Sequence, residues 1–194
     1  MNFLDRIFAL LLPSAPSASV KDAPVEAASA REVVRLNVPR SVMHALRRAT
    51  RPTIALPEPL VLLHVRFASE FQRDTVVAVA ARPFSVHAYV EGFAGANFAT
   101  AWVVDAANAA IARNLGLFLV HAHGGTGIPR FSSVDQETNR NIMAALASGV
   151  VTAPYGAMVL SQTAATAVVA RDGRLEQMRV VEVPDGLGGF EMTA

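Results

Sequence analysis

The chain has 194 residues, 52% of them hydrophobic, enough for one globular domain with appendages and a sizeable core. Seventeen basic against sixteen acidic residues leave a net charge of +1, too weak a field to favour nucleic acid or an anionic membrane, so a partner must be recognised by shape and local chemistry. With no cysteine there is no disulfide framework, no thiolate nucleophile and no Cys-ligated zinc, which excludes the zinc nucleobase deaminases and suits a reducing cytoplasm.

Residues 1–12, MNFLDRIFALLL, set Phe3, Leu4, Ile7, Phe8, Leu11 and Leu12 near helical spacing, which predicts a short amphipathic helix. Its apolar run is too short to cross a bilayer, and Asp5 beside Arg6 does not make the positive end of an export signal. Residues 13–31, rich in Pro, Ser and Ala, read as a flexible linker. The domain is expected over residues 32–183, followed by a Gly-rich tail at 184–194.

Within the domain, Val33–Val38 alternates like a strand, and Pro39 opens a helix that carries His44 and runs to about Thr50. The apolar run Ile54–Phe67 predicts a strand buried on both faces, with Glu58 at its entrance and His64 projecting from it. A further strand is expected over Thr75–Ala81, ended by Arg82 and Pro83, and then a loop or strand end with His87 and Tyr89. A helix follows from about Phe98 to Asn114, with Gly116 as its stop. Strands are expected again at Ala157–Ser161, Ala167–Ala170 and Leu175–Val183, the last two joined as a hairpin at Arg171–Arg174.

Between these lies the stretch with the chemistry, LFLVHAHGGTGIPRFSSVD, residues 117–135. Four apolar residues lead a strand into His121-Ala122-His123, and side chains two apart on a strand share a face, with Cα atoms roughly 6 to 7 Å apart. A Gly-rich loop then turns into Ser132-Ser133-Val134-Asp135, which reads as a helix start continuing through Leu146. His121, His123 and Asp135 together make a candidate Zn²⁺ site of the catalytic kind, two imidazoles and a carboxylate with the fourth position left for water. S-x-x-D is also the pattern of a helix capping box.

H-x-H, a short Gly/Pro loop and S-x-x-D in strand–loop–helix order resemble the JAMM motif of the JAB/MPN metalloprotease family, zinc isopeptidases that remove ubiquitin or ubiquitin-like proteins from conjugates. Pro129-Arg130-Phe131-Ser132 is similar to the prokaryotic branch. The resemblance implies an α/β MPN fold, a cytidine-deaminase-like mixed β-sheet flanked by α-helices. It implies zinc on His121, His123 and Asp135, with Ser132 donating to the developing oxyanion and Ser133 as the competing assignment. It implies a glutamate general acid/base upstream of the motif; Glu58 matches the family's order, with Glu70 and Glu91 as the alternatives. The implied partners are a ubiquitin-like protein, its conjugates and E1-like and E2-like proteins, in some relatives within antiviral defence operons. Two further readings stand beside it, a noncatalytic scaffold of the same family and a zinc hydrolase of a small peptide-like molecule.

Overall fold

The computed structural model describes residues 34–52, 59–69, 74–83, 100–147, 153–171 and 174–186. The helix expected at 1–12, the linker at 13–31, Glu58, Glu70, His87, Tyr89, Glu91 and the tail from 187 lie outside the described residues. Among the described residues ten elements follow in order: β1 (Arg35–Pro39), α1 (Arg40–Ala49), β2 (Val61–Phe67), β3 (Thr75–Pro83), α2 (Thr100–Ile111), β4 (Gly116–Ala122), α3 (Ser133–Ala147), β5 (Tyr155–Leu160), β6 (Ala165–Arg171) and β7 (Arg174–Val183). No helix among the described residues is long and apolar enough to cross a membrane.

The strands close into a barrel in the order β1-β3-β2-β4-β5-β6-β7. The expected α/β MPN fold, a cytidine-deaminase-like mixed β-sheet flanked by α-helices, is therefore wrong. The closing contact is a parallel pair, Arg35 opposite Arg179 through Pro39 opposite Val183, and it joins the first strand to the last. Local pattern carries no record of such a pairing, because a strand buried on both faces suits a barrel wall as well as a helix-covered sheet. All seven strands turn apolar residues to one interior: Leu36, Val38, Val61, Leu63, Val65, Val76, Ala78, Phe118, Val120, Met158, Leu160, Ala167, Val169 and Met178. Met43 and Leu46 of α1 join this cluster, so α1 serves the barrel core. Gly156 stands opposite Phe118, and a Cβ there would strike the Phe118 ring, so this glycine makes room for the largest fully buried side chain.

Outside the wall, Leu60, Leu117, Leu119 and Tyr155 pack with Ala107 of α2, while α3 lies against β5 and β6. Alternation along β4 sends Phe118 and Val120 inward and Leu117, Leu119 and His121 outward. The helix α2 ends differently from expectation. Asn114 takes the left-handed conformation at φ 53°, with Asn114 N–H donating to Ile111 O (3.0 Å) and Leu115 N–H to Ala110 O (2.9 Å), a Schellman cap. Gly116 instead opens β4, where the Pro154 carbonyl leaves no space for a Cβ.

Candidate metal centre

β4 ends at Ala122, but His123 is held in line because its N–H donates to Leu160 O at 2.8 Å. The two histidines thus keep the strand alternation, and their rings meet edge to face with centroids 4.9 Å apart. Their Nε2 atoms are 3.1 Å from each other. The Asp135 carboxylate completes the group, Oδ1 at 3.4 Å from His121 Nε2 and Oδ2 at 3.4 Å from His123 Nε2. One ligand atom from each residue can be chosen so that all lie within 4.8 Å of one another.

Ligand atoms at the corners of a tetrahedron around zinc, with bonds of about 2.0–2.1 Å, lie about 3.3 Å apart. The two Nε2 atoms at 3.1 Å are close to that edge, and each faces a different Asp135 oxygen at 3.4 Å, so the three residues lie within reach of one divalent ion. Burial is graded: the His121 side chain is 11% exposed, Asp135 20% and His123 32%, which leaves the group reachable from the His123 side.

Asp135 reaches this position through the start of α3. Ser132 is its N-cap, with its carbonyl accepting the first helical bond from Gln136 N–H (3.0 Å) and its Oγ accepting from Asp135 N–H (3.1 Å). In return Asp135 Oδ2 accepts from Ser132 N–H (2.7 Å) and from Ser132 Oγ–H (2.8 Å). This is a capping box with aspartate in the glutamate position. The capping and metal readings of S-x-x-D thus hold together, since the box leaves Oδ1 directed at His121. Partial burial pushes the Asp135 carboxyl up, but the bonds from the Ser132 hydroxyl and amide and the nearby His121 and His123 outweigh it and hold it below the usual value.

The loop between the ligands is tied down by side chains that sequence reasoning missed. Gly125 and Gly127 both take φ 93°, a backbone only glycine adopts readily. Ser161 Oγ–H donates to Gly127 O (2.6 Å), Gly127 N–H to Thr163 Oγ1 (3.1 Å) and Thr166 Oγ1–H to Pro129 O (2.7 Å). The hydroxyl-rich SQTAAT turn between β5 and β6 was the available signal, but only its spatial neighbour reveals its use. Of the other histidines, His44 is exposed on α1 and His64 is buried on the outer face of β2. Neither belongs to the His121, His123 and Asp135 group.

Fold and site together define a closed mixed barrel with a His-His-Asp group, within metal-binding distance, on its outer wall. Neither a protein-family model nor a curated protein matches the chain. The chain aligns with the solution structure of protein DSY2949 from Desulfitobacterium hafniense at 14% identity and a TM-score of 0.49, over 80% of this chain and 99% of that one.

Proposed function

We propose that the protein is a zinc-dependent peptidase that cuts after the C-terminal residue of a ubiquitin-like protein, releasing it from a precursor or from a lysine conjugate. The observation that carries the reading is the convergence of His121, His123 and Asp135, whose ligand atoms lie within 4.8 Å of one another, as a single divalent ion would need. The substrate class comes from the resemblance of residues 117–135 to the JAMM motif, and that likeness stands on the motif alone because the fold is a closed barrel. When bound, zinc supplies a Lewis acid and a water acidic enough to ionise near neutral pH.

The protein's own residues divide the remaining work. Ser132 holds Asp135 through the capping box, which fixes the carboxylate before any ligand arrives. Because Asp135 N–H anchors Ser132 Oγ, the hydroxyl proton can swing from Oδ2 to a developing oxyanion without moving the oxygen. Glu58 is the general acid/base in this reading: it takes the proton from water and returns it to the departing amine, which otherwise leaves poorly.

Metal analysis tests the site first: about one zinc per chain is expected, lost in Asp135→Ala. A ubiquitin-like domain fused at its C-terminus to a reporter then tests the chemistry, with cleavage by the unaltered chain and none by Glu58→Gln that retains its zinc. A chain without stoichiometric zinc overturns the whole reading. Zinc without cleavage of the fusion overturns the ubiquitin-like substrate and leaves the scaffold and small-peptide readings, and full activity in Glu58→Gln removes that residue from the mechanism.

A further inference from the structure

Charge is not spread evenly along this chain. Residues 33–57 contain Arg35, Arg40, Arg47, Arg48 and Arg51 and no acid, whereas the rest of the chain has twelve basic against sixteen acidic residues. The fold gathers most of that excess on one surface. Met43 and Leu46 of α1 point into the barrel core, and Arg40, His44, Arg47 and Arg48 are exposed on the opposite side. Arg51, also exposed, follows in the next turn, its N–H directed at Arg48 O at 3.4 Å. From Arg40 to Arg48 the ridge spans about 12 Å at 1.5 Å per residue.

Among the described residues little neutralises it. Glu182 lies 3.8 Å from Arg40, and Asp185 is engaged by the amide and hydroxyl of Ser41. Among the described residues Arg47, Arg48 and Arg51 have no ion pair. One of them near the end of α1 suits the helix dipole, but three exceed what the dipole needs. All are arginines, whose planar fork binds carboxylates or phosphates through two bonds at once.

We infer that the exposed arginine face of α1 is a docking surface for a partner protein that presents a compact cluster of carboxylates. A nucleic acid is disfavoured because the chain outside residues 33–57 is net acidic, and the exposed face of α1 has no Phe, Tyr or Trp for base stacking. The surface is independent of the metal centre, since α1 packs on β1, β3 and β7 while α3 packs on β5 and β6.

The test uses the full chain and three fluorescent probes: a glutamate-rich peptide of about twelve residues, a DNA duplex of about 20 base pairs, and vesicles containing phosphatidylserine. Binding is read at about 50 mM and about 300 mM salt. The peptide should bind more tightly than duplex or vesicles, and weaken with salt. Arg47→Ser/Arg48→Ser/Arg51→Ser should lose roughly tenfold or more in affinity, and Arg40→Ser should lose less. Circular dichroism checks the fold of the triple variant; if it unfolds, the single variants Arg47→Ser and Arg51→Ser give the same comparison with smaller losses. Absence of peptide binding, equal binding by the variants, or tighter binding of duplex or vesicles overturns the inference.

Discussion

One hydroxyl at the start of α3 serves two structures at once. Ser132 Oγ accepts the Asp135 amide and donates to the Asp135 carboxylate, so removing it costs a helix cap and the constraint on a candidate ligand. Ser132→Ala should lower stability by about 1 kcal/mol without metal. The same change should weaken zinc binding roughly tenfold, as loss of an outer-shell partner does. Thermal unfolding and zinc titration read the two effects separately, and a variant with unaltered zinc affinity would leave Ser132 as a cap only. A second residue-scale prediction concerns His64. Burial first, and then Arg82 and Arg113, hold its pKa below the usual 6.5. The unfolded chain therefore takes up this proton first as pH falls, and stability contributed by neutral His64 is complete above 6.5 and lost below it. Between about pH 7.5 and about pH 5.5 the unaltered protein should lose more stability than His64→Leu does, measured by urea unfolding. Parallel losses in the two proteins would remove His64 from the pH response.

At the scale of elements, what could be read from the chain depended on whether the stop and start signals were local. Pro39 marked the start of α1, and the apolar run ahead of His121 marked β4, because each signal lies beside the element it governs. The further N-terminal tie of α1 was not legible, since Asp185 reaches Ser41 from 144 positions away. The end of α2 was misread for another reason. Glycine and asparagine both enter the left-handed region, and two such residues, Asn114 and Gly116, stand close together. Their substitution pattern should differ sharply. Asn114→Gly should be tolerated, because glycine suits a residue at φ 53°. Gly116→Asn should destabilise by about 3 kcal/mol or more, because its Cβ meets the backbone oxygen of Pro154 rather than a side chain that can move. Equal tolerance of both changes in urea unfolding would mean that β4 and the Pro154 segment separate easily.

For the whole molecule, the decisive fact is that the first strand has two partners. β1 runs parallel to β3 through Arg35–Asn37 and parallel to β7 through Arg35–Pro39, while Arg35 N–H also bonds Asp74 O and Arg179 N–H bonds Val34 O. The motif at residues 117–135 was legible because its strand, loop and helix start are contiguous, whereas the β1–β7 contact joins residues more than a hundred positions apart and leaves no periodic trace. An open sheet would leave a strand at each edge with its outward amides exposed to water. A closed barrel has no such strand, and its interior is sealed by Leu36, Val38 and Met178 from the two strands that meet. Hydrogen exchange distinguishes the two arrangements directly. Backbone amides across residues 35–39 and 179–183 that face a partner strand should exchange as slowly as those of β2 and β4, through opening of the whole barrel rather than fraying of an edge. Rapid exchange confined to β1 and β7, with β2 and β4 still protected, would mean that the seam between them opens on its own.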